Sequence, residues 1–273
     1  MRESHANPFG TVERLTPELY WERRARRYAR KAQGLAAVCS YGMPWIYNFA
    51  THLCQLRALA PWLRQGGKCT ALDVGCGVGR WSLRLAARAT HVTGLDLSPF
   101  MIEQAQRRAR QADVDNTTFL AGDVSRLHMD DRFDLILCVT VIQHIMDAQE
   151  AAQALANLAA HLKPGGEIVL LEAAPSNGAR GCESNVFRAR GIDWYRESLA
   201  HCGLRVVCER GVDPMPLKTL LLPYYIKLPR GLRELIAGLT SLVSLPFDWI
   251  LGPYLTRQSW HKVIVARAQG GSP

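Results

Sequence analysis

The sequence predicts an α/β fold, a mostly parallel sheet with helices on both faces, on three observations. Ala71–Trp81 reads as an apolar strand, a glycine turn and the entry to a helix. Phe133–Val139 is a nearly continuous apolar run, as in parallel strands buried on both faces. Around these two, short apolar strands alternate with stretches of helical period.

Bulk numbers fit one domain with additions. The chain has 273 residues, 48% of them hydrophobic and 21% charged, which is ordinary for a globular protein. A net charge of +9 permits an anionic partner without naming one. The eight cysteines form no C-x-x-C pair and no Cys/His set with zinc spacing, so no metal site is expected. Core thiols and a polar N-terminus without a signal-peptide core give a cytoplasmic expectation.

In order, residues 1–16 read as a loose arm and a helix starts at Pro17. Trp21, Ala25, Tyr28, Ala29 and Ala32 share one face of it, and Arg23, Arg24, Arg26, Arg27, Arg30 and Lys31 cover the rest as a solvated basic face. Gly34–Pro44 reads as a loop and Trp45–Leu63 as a second helix, in which His52 is a packed or surface residue. Strands follow at Cys69–Val74, His91–Asp96, Thr117–Ala121, Phe133–Val139, Glu167–Glu172, Leu204–Glu209 and Trp260–Ala266. Between them lie helices from Ser82, from Pro99 with Ser98 as N-cap, over Ala148–Leu162 and over Ile192–Cys202. Asn177–Arg190 reads as a mobile loop. The expected division is a helical cap (1–64), a core (65–212), an apolar helical insertion (213–259) and a last core strand with tail (260–273).

The glycine turn carries the chemistry. Asp73-x-Gly75-x-Gly77-x-Gly79 puts the third glycine one place early for a dinucleotide fingerprint, and Arg80 stands where that fingerprint wants glycine. The strand-end acid Asp73 would repel a pyrophosphate but pair with a cation. S-adenosylmethionine (SAM), with its ammonium and sulfonium, suits such a turn. Asp96 follows Gly77 by 19 residues, where a nucleotide-binding unit places the carboxylate for the ribose hydroxyls.

This stretch resembles motif I of the class I SAM-dependent methyltransferases. The resemblance implies a Rossmann-like, seven-stranded sheet whose last strand is antiparallel. It implies a cofactor site of Asp73, Gly75, Gly77, Gly79, Asp96, Leu97, Met101, Gly122, Asp123, Val124 and Val139, with Gly122-Asp123 against the adenine. Thr140–Ile145 is similar to the family's loop after strand four, where cofactor and acceptor meet, and Leu162-Lys163-Pro164-Gly165-Gly166 to its turn into strand five. Glu172 and His144, at neighbouring strand ends, are the candidate bases if a proton must be removed. Tyr28, near the methionine end in the family, is next.

The insertion holds too many apolar residues to face water and is read as a lid over the acceptor, with a dimer interface or a membrane-surface patch as alternatives. A bilayer span is not expected, because the uncharged run Leu235–Phe247 is short and closed by Pro246 and Asp248. The expected acceptor is an apolar small molecule, its anionic end met by an arginine of residues 23–30 or 180–190. A nucleic-acid methyltransferase, a non-catalytic SAM-binding protein and a peripheral membrane protein are the other readings.

Overall fold

The computed structural model describes residues 16–29, 34–39, 43–64, 69–176, 183–214 and 229–269. In chain order the elements are α1 (Pro17–Tyr28), α2 (Leu35–Val38), α3 (Trp45–Leu63), β1 (Thr70–Val74), α4 (Ser82–Ala86), β2 (His91–Asp96), α5 (Pro99–Gln111), β3 (Thr117–Ala121), β4 (Phe133–Val139), α6 (Ala148–Ala160) and β5 (Leu162–Ala173). After these come β6 (Glu183–Ser184), β7 (Phe187–Arg188), α7 (Ile192–His201), β8 (Leu204–Gly211), α8 (Arg230–Leu251) and β9 (His261–Ala268). Seven strands form one sheet in the order β3-β2-β1-β4-β5-β9-β8. The first five are parallel, and β9 runs antiparallel to both β5 and β8, as the resemblance implied.

Local chemistry sets the helix starts. Thr16 Oγ1 accepts from Leu19 N ahead of Pro17, and Ser98 Oγ accepts from Met101 N ahead of Pro99. Asp147 Oδ1 accepts from the amides of Gln149 and Glu150 to open α6. The alternation of β4 divides the core between the two faces. Ile136 and Cys138 pack with Leu155, Leu158 and Tyr195, whereas Leu135, Leu137 and Val139 pack with Leu59, Trp62 and Val263. Helix α3 therefore supplies a layer of the core as well as cleft residues, and the expected 1–64 cap does not stand apart from it.

Several expectations change. Gly34–Pro44 is not all loop, because Leu35–Val38 makes a helical turn entered from Gly34 at φ +76°; residues 40–42 lie outside the described residues. Strand β5 begins at Leu162 and absorbs the Lys-Pro-Gly-Gly turn. Residues 183–188 form a two-stranded hairpin where a loop was expected, and 177–182 lie outside the described residues.

The insertion differs most. Pro246 does not end α8, which continues to Leu251 and packs against α3. Its protein-facing side is small or polar, with Ala237, Ser241, Ser244 and Asp248 buried. Its outward side carries Leu239 at 53%, Val243 at 65% and Ile250 at 62% exposure. That polarity is inverted relative to a surface helix of a soluble domain. By length and composition Glu234–Leu251 could cross a membrane, although the buried serines and aspartate pack against protein. Residues 215–228 of the insertion lie outside the described residues.

Candidate active site

The carboxyl ends of the parallel strands open on a cleft of about 1250 Å³. Gly75, Gly77, Asp96, Leu97, Met101, Gly122, Asp123, Val124 and Val139 line it, which gathers most of the expected cofactor residues in one place. The glycines are required sterically. Gly75 and Gly77 hold φ of +66° and +53°, and an added Cβ would come within 2.2 Å of Val141 Cγ2 and 2.6 Å of Val38 Cγ1 respectively. Gly79 does not line the cleft. Its Cβ position faces Ala105 at 3.2 Å, so it lets the turn pack on α5.

Asp96 receives the Gly77 amide at 2.8 Å and the Ser98 amide at 2.9 Å, one on each oxygen. Each oxygen keeps a further lone pair for a ligand hydroxyl. Burial raises its pKa to about 6. Asp73 is buried behind the lining. Ser82 Oγ donates to its Oδ2 at 2.5 Å, while Oδ1 has no hydrogen-bond partner. Burial raises its pKa to about 7 against the pull of Ser82 and Arg80. An unpartnered buried carboxylate oxygen behind a glycine turn suits a cationic ligand and penalises a diphosphate. The residues present fit SAM on this count.

Arg80, the residue that breaks the dinucleotide pattern, lines the cleft. Its Nη1 lies 3.1 Å from His52 Nδ1 and 3.5 Å from Cys39 Sγ, and the guanidinium stacks over Trp81. Burial and the neighbouring Arg80 lower the pKa of His52 to about 4, so His52 is a packed neutral acceptor for Arg80. Helix α1 is docked by Glu22, whose Oε2 accepts from Ser98 Oγ at 2.6 Å and Phe100 N at 3.3 Å. This docking brings Tyr20, Trp21 and Arg24 to the cleft. Tyr28 does not reach it and packs instead toward Val78, Phe100 and Met101. The expected methionine-end tyrosine is therefore corrected: Tyr20, two helical turns earlier, lines the cleft.

The candidate bases separate. Glu172 is fully buried and does not line the cleft. Its Oε1 accepts from Val141 N at 2.8 Å and Ile142 N at 2.9 Å, and its Oε2 from Gln143 N at 3.2 Å. It caps the turn after β4, and this corrects the expectation that it faces the acceptor. His144 does line the cleft. Its Nδ1–H donates to the Val186 carbonyl at 2.6 Å, which leaves the Nε2 lone pair toward the Gln143 amide at 3.4 Å. Burial lowers its pKa to about 4, so the ring is neutral. Trp21 and Phe187 pack edge-on against it. Arg190 was an expected partner for an acceptor anion. Its guanidinium holds the carbonyls of Ile142, Ile145 and Asp147 instead.

The conformation of Thr140, in the loop already read as the meeting place of cofactor and acceptor, and two further lining features escaped the sequence reading. Thr140 has φ +56°, a strained conformation for a β-branched residue, directly after β4. Asp213 and His261 face the cleft as a hydrogen-bonded pair, at 2.9 Å between Oδ2 and Nδ1. Arg257 lines the same end. The positive φ of Thr140 gives no sequence signal, and the insertion separates Asp213 from His261. No helix α8 residue lines the cleft. Among the described residues of the insertion, 213–214 and 257–259 at its ends line the cleft, so the described helix is not a lid.

Residues 71–166 match the family profile of a methyltransferase domain. A ubiquinone biosynthesis O-methyltransferase of Coxiella burnetii is 39% identical over 98 residues, covering 36% of this chain and 40% of that protein. Nodulation protein S of Rhizobium tropici is 31% identical over 118 residues, covering 43% and 49%. The chain thus matches less than half the length of these curated relatives. Among solved structures, the cyclase SpnF superposes with a TM-score of 0.61 at 18% identity, covering 94% of this chain and 98% of that one. The magnesium protoporphyrin IX methyltransferase of Synechocystis, with S-adenosylhomocysteine bound, gives 0.57 at 18% identity, covering 90% and 94%. At such identities the likeness is one of fold. Residues 71–166 are thus similar to a methyltransferase domain, and the chain shares the fold of the solved methyltransferase it superposes on.

Proposed function

We propose that this protein is a SAM-dependent methyltransferase for a largely apolar small-molecule acceptor. One observation carries the reading. A single cleft joins an acidic glycine turn, with Asp96 in its wall and Asp73 behind it, to a second end lined by Val141, Ile145, Met146, Phe187, Trp260 and two histidines. The names of the relatives, an O-methyltransferase of ubiquinone biosynthesis among them, support a small molecule over nucleic acid. The cyclase among the structural neighbours shows that this fold alone does not fix the chemistry.

When bound, SAM supplies an electrophilic methyl on a good leaving group. The chain's part is orientation. Asp96 would accept the ribose hydroxyls and the Gly75–Gly77 backbone would come close to the ligand. Asp123, whose Oδ1 holds the Ser125 amide at 2.8 Å, would accept from the adenine with its other oxygen. Arg24 or Arg80 would meet the methionine carboxylate, and Arg257 an anionic end of the acceptor. Aromatic packing around His144 would exclude water and hold the acceptor in line, which supplies much of the acceleration in a displacement.

The outward apolar face of α8 supports peripheral contact with a membrane, from which an apolar acceptor could be drawn. A homodimer through that face is the competing use. The free cysteines among the described residues fit the reducing cytoplasm.

Calorimetry with SAM, with NADH as control, tests the cofactor. Transfer of a labelled methyl group to apolar phenols and amines tests the activity. SAM binding without NADH binding is expected, and the absence of SAM binding overturns the proposal. Flotation with liposomes, set beside sedimentation for oligomeric state, separates membrane contact from dimerisation.

A further inference from the structure

We infer that His52 is a positioning residue, which holds Arg80 so that the free edge of its guanidinium takes the carboxylate at the methionine end of the cofactor. The inference rests on the methyltransferase reading above and deepens it, because it selects Arg80 over Arg24 for that carboxylate.

The guanidinium is held from three sides. Its Nη1 is spent on the chain ahead of the core, at 3.1 Å from His52 Nδ1 on α3 and 3.5 Å from Cys39 Sγ at the end of α2. Arginine only donates, so His52 Nδ1 carries the lone pair and the ring hydrogen sits on Nε2. The guanidinium carbon lies 4.3 Å from the centroid of the Trp81 ring, and the imidazole packs 5.5 Å from that ring. Burial, then the charges of Arg80 and Arg84, lower the pKa of His52 to about 4, so the acceptor persists at neutral pH.

What this leaves over is the opposite edge. Nε–H and one N–H of Nη2 run parallel there, the fork that matches the two oxygens of a carboxylate. The hydrogen bonds of Arg80 all run through Nη1, and Nε is buried without a partner. A buried donor left unpaired is costly, and a docked carboxylate would remove that cost. Arg80 also lies close enough to Asp73 for each charge to act on the other, and Asp73 Oδ1 is likewise unpartnered. The turn therefore offers an acid and a fixed cation together. An α-amino acid group, with its ammonium and carboxylate on one carbon, answers both, whereas a phosphate would be met by Arg80 and repelled by Asp73.

Arg24 serves this arrangement instead of the ligand. Its Nη2 donates to the Cys39 carbonyl, and its guanidinium stacks over Trp21. It thereby fixes the residue whose thiol meets Arg80.

The test uses calorimetry on the full-length protein with three probes. These are S-adenosylhomocysteine, its decarboxylated form, and methylthioadenosine, which lacks the amino-acid end altogether. Arg80→Met should weaken S-adenosylhomocysteine by about 10- to 100-fold and leave the other two within about twofold. His52→Leu fills similar space without an acceptor. It should weaken S-adenosylhomocysteine alone, by about 3- to 10-fold, the loss expected when a side chain must be ordered on binding. His52→Asn restores an acceptor and should stay within about twofold of wild type on every probe. Equal losses on all three probes in His52→Leu would mean a purely structural role and overturn the inference. So would an unchanged affinity for S-adenosylhomocysteine in either His52→Leu or Arg80→Met, and the methyltransferase reading would survive each of these results. Should His52→Leu not fold, NMR of the wild type decides. S-adenosylhomocysteine, but not methylthioadenosine, should slow exchange of the Arg80 Nε–H with water, and the His52 ring should carry its hydrogen on Nε2. Unchanged exchange, or a hydrogen on Nδ1, overturns the inference. Failure of the wild type to bind S-adenosylhomocysteine overturns the parent reading, and this inference with it.

Discussion

The two ends of the cleft are made in different ways. Most of the cofactor end comes from one stretch of chain, with β1, the glycine turn, β2 and the start of α5 all lying within residues 70–101, and Gly122–Val124 and Val139 complete it. Its lining is largely backbone and its acids sit at strand ends. The acceptor end is assembled from the turn after β4, the β6–β7 hairpin, residue 213 after β8 and residues 257–261 before β9. Its lining is side chain and its hydrogen bonds cross long sequence separations. The first end reads a constant ligand through conformation, while the second can change its specificity by substitution without disturbing the turn.

The two ends touch at Gly75 and Val141, and the largest effect is expected there. Gly75→Ala puts a Cβ 2.2 Å from Val141 Cγ2 at φ +66°. The backbone conformation alone costs an alanine about 1–2 kcal/mol, and the clash adds to it. A melting-temperature drop of several degrees, with SAM binding lost, should be seen by scanning calorimetry and titration. Adding Val141→Ala should recover only the clash. Full recovery would show that backbone strain is not what demands glycine, and no recovery would show that the ends are not coupled at this contact.

Next comes Asp96→Ala. It removes a charge-assisted acceptor from the cofactor end and should weaken SAM by roughly 1.5–3 kcal/mol, about 10- to 100-fold. Asp213→Asn, at the other end, should leave SAM affinity within about twofold. Titration calorimetry on both variants checks the division. Equal losses would mean that the cleft acts as one unit.

The same division explains what the sequence made legible. Glycine spacing, the acid Asp96 and the Ser98-Pro99 cap are local signals, and Gly75, Gly77 and Asp96 line the cleft, whereas Asp73 lies buried behind the lining and Gly79 faces Ala105. Tyr28 misled because helical period shows which residues share a face but not how far along a helix the cleft extends. Glu172 misled because its strand-end position suits either a base or a cap. Only the three amides of residues 141–143 decide between them. The Asp213–His261 pair was hidden by the insertion between its members. The apolar insertion was legible as a stretch that cannot all face water. Its direction was not, because composition does not tell which side of α8 meets α3.

A smaller effect is expected at Glu172. Glu172→Gln leaves one acceptor oxygen where two now serve three amides, so at least one buried donor loses its partner, at about 1–3 kcal/mol of stability. The turn that carries His144 should loosen, and hydrogen exchange at the amides of residues 141–144 should rise while exchange in β1 stays unchanged. Protection unchanged at 141–144 would refute the capping role.

The last effect belongs to Asp73 and lies in a pH slope. Its pKa is raised from 3.8 to about 7 by burial, so the folded chain binds that proton more tightly than the unfolded chain. For such a group the stabilising contribution is full below about pH 4 and is lost as pH rises through about 7. Asp96 and Glu172, raised to about 6 and about 7, act with it, while the contributions of His52 and His144, both lowered to about 4, rise between about pH 4 and pH 6.5. The wild-type curve alone therefore mixes the two. Subtracting the curve of Asp73→Asn cancels these other groups, and the difference, wild type minus variant, should fall steadily from pH 4 to pH 8 in denaturant titrations without ligand. A bound cation near the unpartnered Oδ1 should reverse this, because it favours the ionised acid. SAM affinity should then rise with pH over the same window in the wild type and stay flat in the variant. A flat stability difference without ligand would mean that the acid is already ionised and solvated in the fold. That would remove the physical reason for reading the acid behind the glycine turn as the counter-charge of a cationic cofactor.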